Sequence, residues 1–236
     1  MNKSRKVWRF VVLLVMVASG FAAMASANIK SESDAKYSSA TIYVPDNYTK
    51  IQDAVNAADS GDTIIVRDGT YTENVNVNKR LTIKSENGSA NCIVKAANYR
   101  DYVFNVTVNY VNIKGFTVKR TRNMAGIYQA GIYLDSVTYC NISNNTLLNN
   151  WIGIHIYSSS NNIITNNNCE ENTVGIRFDY SSNNILTNNT CSNNWCGVGL
   201  IYSSNNIITN NICNLDTECG ISLYSSTRST ASIVIM

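Results

Sequence analysis

The chain has 236 residues, of which 44% are hydrophobic and 15% charged, with a single proline and a formal net charge of +3. Its basic residues form no cluster interleaved with aromatics, so no nucleic-acid surface is expected. The apolar run from Phe10 to Ala18 falls short of the roughly 20 residues that a membrane-spanning helix needs.

Residues 1–27 read as a secretory signal peptide: a basic start (Lys3, Arg5, Lys6, Arg9), that apolar run, and the small-residue site Ala25-Ser26-Ala27. Without those four basic residues, 15 Lys and Arg stand against 16 Asp and Glu, so the exported chain is near neutral. Residues 28–39 are polar and aperiodic, a linker. Residues 40–61 then predict an N-terminal cap of one strand and one helix. Thr49 and Gln52 fit a capping box, Ile51, Ala54, Val55 and Ala58 form one apolar face, and Gly61 supplies a stop. Between Tyr71 and Ala130 short apolar pairs continue without a fixed period: Val75 and Val77, Leu81 and Ile83, Ile93 and Val94, Val111 and Ile113, Phe116 and Val118. Lys119 to Ala130 reads as a protruding loop.

From Gly131 the chain becomes periodic. Gly131, Gly153, Gly175 and Gly197 recur every 22 residues, and Gly220 follows after 23. Such a period marks a solenoid, whose units bury their apolar faces only by stacking. With the glycine as unit position 1, apolar residues fall at positions 2 and 4 (Ile154 and Ile156, Ile176 and Phe178, Val198 and Leu200). Others fall at 12 (Ile142, Ile164, Leu186, Ile208), at 17 (Leu147, Cys169, Cys191, Cys213) and just before the next glycine (Ile152, Val174, Cys196). Alternation means strand, and no run of ten residues has helical periodicity. Three short strands per unit predict an all-β, right-handed parallel β-helix over residues 62–236, with regular repeats from 131. Paired asparagines such as Asn166 and Asn167, or Asn188 and Asn189, suit left-handed corners and amide ladders between coils about 4.8 Å apart. Glycine at position 1 is read as serving the same corner. After Gly220 the unit opens correctly and then loses its pattern in TRSTASIVIM, with no closing cap. This end reads as a fragment, a truncated frame, or one end of an assembly capable of end-to-end self-association.

The units, of the form GIxLxxSSNNxIxNNxxxNN, resemble the parallel β-helix repeats of the NosD type. That family, with a pectin-lyase-like fold, includes sugar-acting members and many archaeal cell-surface proteins. The stretch IQDAVNAADSGDTIIVRDGTYTENV also resembles the opening of pectin-lyase-like folds, pectin methylesterases among them. The catalytic motifs of that esterase family are not matched, so its activity is not carried over.

Seven cysteines in an exported chain suggest disulfides. Stacked in-register side chains suit the bond poorly, however, so Cys169, Cys191 and Cys213 are expected as a buried thiol ladder. Cys196 and Cys219 remain candidates for a pair. The family name suggests copper, but His155 is the only histidine. Copper sites want clustered His, Cys or Met, so neither metal nor cofactor is expected. Sequons at Asn47, Asn87, Asn105, Asn141, Asn144 and Asn188 are possible glycan acceptors.

Positions 3 and 5 of the first strand point outward. They carry Tyr133 and Asp135, His155 and Tyr157, Arg177 and Asp179. The resemblance implies that sugar-processing β-helices build their sites on this face. Tyr133, Tyr157 and Arg177 are candidate ligand-binding residues, for rings stacking on tyrosine and a carboxylate on arginine. Asp135, Asp179 and His155 are the catalytic candidates if the protein is an enzyme. The same pattern also describes a solvated strand face, since fold does not convey function. The expectation is therefore a secreted cell-surface protein, periplasmic in a double-membrane cell, that is structural or binds carbohydrate without catalysis. Its partners would be polysaccharide or cell-envelope components. The alternatives are a polysaccharide-active lyase, hydrolase or epimerase, and a periplasmic copper-binding protein.

Overall fold

A computed structural model of the protein describes residues 39–120 and 129–234. The expected signal peptide, nearly all of the linker and most of the expected loop at 119–130 lie outside the described residues. Among those described, the chain forms one helix and three parallel sheets of nine, seven and five strands. Together they wind a right-handed solenoid of about 8 turns. In the coils from Gly131 and Gly153 the first strand is long, as in Ile152–Tyr157, and the other two are short, as in Ile163–Thr165 and Asn168–Glu170.

Coils stack in strict register, so each inward position becomes a column. Ile113, Ile142, Ile164, Leu186 and Ile208 are direct neighbours from coil to coil, and all are fully buried. The position-17 column of Leu147, Cys169, Cys191 and Cys213 is buried in the same core. In the irregular early coils Cys92 and Val94 point inward, while Ile93 is half-buried at the surface. The C-terminal unit keeps its pattern further than the sequence suggested: Thr230–Val234 pairs with Ile207–Ile212 and extends the nine-stranded sheet.

Four corners turn each regular coil, and most use one device. A residue with left-handed φ turns the chain, and the next residue points inward and caps a neighbouring coil. At the third corner the turning residues are Asn144, Asn166, Asn188 and Asn210, with φ of 55–57°. The amides of Asn145, Asn167, Asn189 and Asn211 behind them are buried. Each backbone N–H donates to the side-chain oxygen one coil on: Asn145 to Asn167 at 3.0 Å, Asn167 to Asn189 and Asn189 to Asn211 at 2.9 Å. Gly115 takes the turning position in an earlier coil, with φ of 80°. A second asparagine ladder runs through Asn150, Asn172 and Asn194 and ends on the Asp216 carboxylate. A serine ladder links Ser159, Ser181 and Ser203. The chain thus satisfies buried corner amides that no strand ladder reaches.

The unit glycine has a different role from the one its sequence position suggested. Gly153 and Gly175 do not have left-handed φ; a Cβ on either would lie 2.5 Å from the next coil's glycine oxygen and close to the position-17 column. Close approach, rather than corner geometry, requires glycine there. Because the glycine and the residue after it both border the core, strand alternation slips by one, and the residue before the glycine faces outward. Ala130, Ile152, Val174 and Cys196 accordingly form a separate seam covered by Tyr102, Tyr133 and Trp151.

The N-terminal cap forms as expected, but its helix is held differently. The helix α1, Ile51–Ala57, buries Ile51, Ala54 and Val55. Lys50 is its N-cap, without a side-chain cap bond. The first amides are taken instead by Glu73, which accepts from Ile51 N and Gln52 N at 3.0 Å each. The Gln52 side chain, expected in a capping box, bonds Asn56 and the Asn76 amide. A carboxylate from the following coil can do this because the helix N-terminus carries partial positive charge.

Cys196 and Cys219, register neighbours on the outward seam, form a disulfide with Cα atoms 4.8 Å apart. Cys169, Cys191 and Cys213 are free and buried, as are Cys92 and Cys140. The packing argument holds inside the core. It does not extend to a seam where the second cysteine sits on the last strand of its sheet.

Candidate functional site

Register brings the six singled-out outer residues together. Tyr133, His155 and Arg177 are successive neighbours along one outward row, and Asp135, Tyr157 and Asp179 along the next. Asp179 is the centre of the cluster. Its Oδ2 accepts from His155 Nε2 at 2.8 Å, and Arg177 Nε donates to both carboxylate oxygens at 2.9 and 3.1 Å. The His155 and Asp179 side chains are only 13% and 10% exposed, so this face is not simply solvated.

The electrostatics of Asp179 follow from its partners. Burial pushes its carboxyl up, but the hydrogen bonds and charges of His155 and Arg177 outweigh that and hold it below the usual carboxylate value. An ionised carboxylate only accepts, so it sets the His155 tautomer with the proton on Nε2. Tyr157 stands between Asp135 and Asp179 in their row, and Asp135 is bonded by Ser136 Oγ at 3.0 Å. A general acid needs a raised pKa; Asp179 has the opposite shift. Among the described residues no group of three or more His, Cys, Asp or Glu is arranged to hold a metal ion.

Aromatic rings extend the site along the axis. Tyr102 stacks on Tyr133 at 4.1 Å, and Tyr133 lies 6.4 Å from Tyr157. From Tyr157 the row continues through Tyr180 at 6.1 Å, Tyr202 at 5.3 Å and Tyr224 at 5.6 Å. The last four are 38–59% exposed. Of these, the sequence reading singled out only Tyr157. The signal was present: Tyr157, Tyr180, Tyr202 and Tyr224 each stand one or two residues before Ser159, Ser181, Ser203 or Ser226, the last of which accepts from Ser203 N.

The sequons differ in access. Asn144 and Asn188 are exposed turning residues with no side-chain hydrogen bond among the described residues. Asn87 Nδ2 is bonded to Asp68, Asn105 Nδ2 to Asn76, and Asn47 Oδ1 to the Tyr43 amide.

Comparison with known proteins bears out the architecture. The chain is 36% identical over 151 residues to the cell surface glycoprotein of Methanothermus fervidus, a match covering 63% of this chain and 22% of that protein. It thus aligns with less than a quarter of that relative's length. Among solved structures, the Dettilon tailspike protein superposes with a TM-score of 0.55 at 14% identity, covering 78% of this chain and 46% of that one. A rice weevil pectin methyl esterase gives 0.55 at 14% identity, covering 83% and 90%. Identities this low speak to fold alone. The profile described as the right-handed β-helix region matches residues 101–235, and with the parallel stacking described above this establishes that the chain belongs to the right-handed β-helix family.

Proposed function

We propose that the protein is a cell-surface, glycan-binding β-helix that does no chemistry on its ligand. The observation that carries this reading is the row of exposed tyrosines along successive coils, beside a carboxylate held ionised by two partners. Tyrosine supplies an apolar ring with a polar tip, suited to the C–H faces and hydroxyls of sugars. The row begins at Tyr133 and Tyr157, with Arg177 at its flank, and a linear glycan lying along the axis would meet a ring at each coil. The kinship with a surface glycoprotein supports a surface or secreted setting.

The test is a panel of acidic and neutral polysaccharides, scored for binding and for products. Binding is expected to weaken in Tyr180→Ala and Tyr202→Ala, with no new reducing ends or unsaturated products. Product formation abolished by Asp135→Asn or Asp179→Asn would replace this reading with that of a polysaccharide-active enzyme.

A further inference from the structure

A second feature lies on the other side of the coil, over the nine-stranded sheet. It is a cleft lined by Gly61, Arg80, Thr82, Tyr110, Asn112 and Tyr139. Tyr110 and Tyr139 both take left-handed φ, 63° and 59°, at the corner before the second strand. This conformation throws the side chain out of the coil, and stacking of the coils aligns the two rings 5.1 Å apart and 13° from parallel. The Arg80 guanidinium lies 5.3 Å from the centre of the Tyr110 ring. Arg80, Tyr110 and Tyr139 therefore form one column, with both rings about half exposed. At the floor, Asn112 Nδ2 donates to Thr82 Oγ1 at 3.0 Å, and Asn112 Oδ1 has no hydrogen-bond partner among the described residues.

Charge distinguishes this cleft from the cluster around Asp179. Arg67 is paired with Asp46 and Glu86, and Arg177 with Asp179. Arg80 is exposed and makes no ion pair among the described residues. On the same sheet face Lys84 and Lys114 are register neighbours, and they too make no ion pair among the described residues. Arg80 is the charged side chain among the residues lining the cleft, and its guanidinium is oriented by the ring beneath it.

We infer that this cleft is a subsite for a carboxylate-bearing sugar of a glycan. A planar guanidinium matches a carboxylate through two parallel hydrogen bonds. The Tyr139 ring offers a surface for the pyranose C–H face, and Asn112 Oδ1 accepts from a ring hydroxyl. An inorganic anion would use the guanidinium and have no use for the tyrosines. The inference rests on the glycan-binding reading and adds an acidic specificity to it, at residues separate from the Tyr157–Tyr224 row.

The test uses the full chain and three probes: an oligouronate, the same oligomer with its carboxyls reduced, and inorganic phosphate. Calorimetry should show the oligouronate bound about ten-fold tighter than its reduced form, the scale of one charge-assisted contact at a partly exposed site. Arg80→Ala should remove that preference, Arg80→Lys should retain part of it, and Tyr139→Ala should weaken oligouronate binding. Both side chains lie at the surface, and circular dichroism would check that the fold of each variant is kept. Equal binding of the two oligomers by wild type, or an unchanged preference in Arg80→Ala, would overturn the inference. So would phosphate displacing the oligouronate together with no effect of Tyr139→Ala. Binding of the carboxyl-reduced oligomer, and its loss in Tyr202→Ala, reports separately on the glycan-binding reading, so either can fail alone.

Discussion

Adjacent asparagines at one corner should behave in opposite ways when changed. Asn189 is fully buried. Its Oδ1 accepts from Asn167 N at 2.9 Å and Asn167 Nδ2 at 3.0 Å. Its Nδ2 donates to Ile164 O, Thr187 O and Asn211 Oδ1 at 2.9–3.1 Å. Asn189→Ala orphans the buried Asn167 N–H and strips donors from two carbonyls, a loss of about 3 kcal/mol at about 1–3 kcal/mol for each buried group left unmade. For a domain of this size that lowers the melting temperature by about 6–12 °C. Asn188 is exposed, its side chain bonds nothing among the described residues, and its φ is 57°. Asn188→Ala therefore costs about 1 kcal/mol of left-handed strain, and Asn188→Gly is close to neutral because glycine takes that φ freely. Thermal unfolding followed by far-ultraviolet circular dichroism measures all three, read as the first transition because a solenoid can melt from one segment. If Asn188→Ala proved the more damaging, or Asn189→Ala melted within about 2 °C of wild type, the buried amide ladder would not be what holds the corners.

Two further outcomes follow from the same geometry. Asp179 has a folded pKa below its unfolded value, so its contribution is present above the unfolded pKa, about 3.9, and is lost as pH falls through the folded one. The melting-temperature gap between wild type and Arg177→Ala should be widest near neutral pH and close in acid; a gap constant from pH 7 to about 3 would contradict the ion pair. The five free cysteines are all buried, and burial pushes the Cys92 thiol up to about 12. No thiol should react in the native protein, five should react in denaturant, and all seven after reduction; native reactivity would place a thiol outside the core.

Much of the fold could be read from the sequence because a stacked coil repeats its chemistry in one dimension. Ile164, Leu186 and Ile208 recur at one position because each must fill the same slot above and below its neighbour. The paired asparagines likewise declare a turning residue and an inward cap. Periodicity fails where a position depends on a neighbour at no fixed spacing. Glu73 reaches the α1 amides from the next coil, and no repeat marks it. The unit glycine looked like a corner residue because its reason, a neighbouring backbone oxygen, is visible only once coils are stacked. The outward direction of Ile152, Val174 and Cys196 follows from the glycine facing in. It is also why Cys196 and Cys219 lie apart from the core column of Cys169 and Cys191.

The outer face obeys a different constraint, which is why its function is harder to read. Inward columns admit only residues that pack, but the outward row of Asn105, Tyr133, His155, Arg177, Gly199 and Ser222 is chemically free at every step. Any property of that row is a property of neighbours across coils, 22 to 28 residues apart in sequence and about 4.8 Å apart in space. The sequence could therefore nominate His155, Arg177 and Asp179 as companions, but it could not say whether they would serve a ligand or one another. In the structure two of them bond the third, so their charges serve one another, and what that face exposes is the row of rings with the Asp135 carboxylate beside it. Over the nine-stranded sheet, where no regular repeat pointed, Arg80 makes no ion pair among the described residues. A β-helix of this kind can change what it binds by changing single outward residues while its core and corner ladders stay fixed, so ligand specificity has to be sought in side-chain pairs across coils.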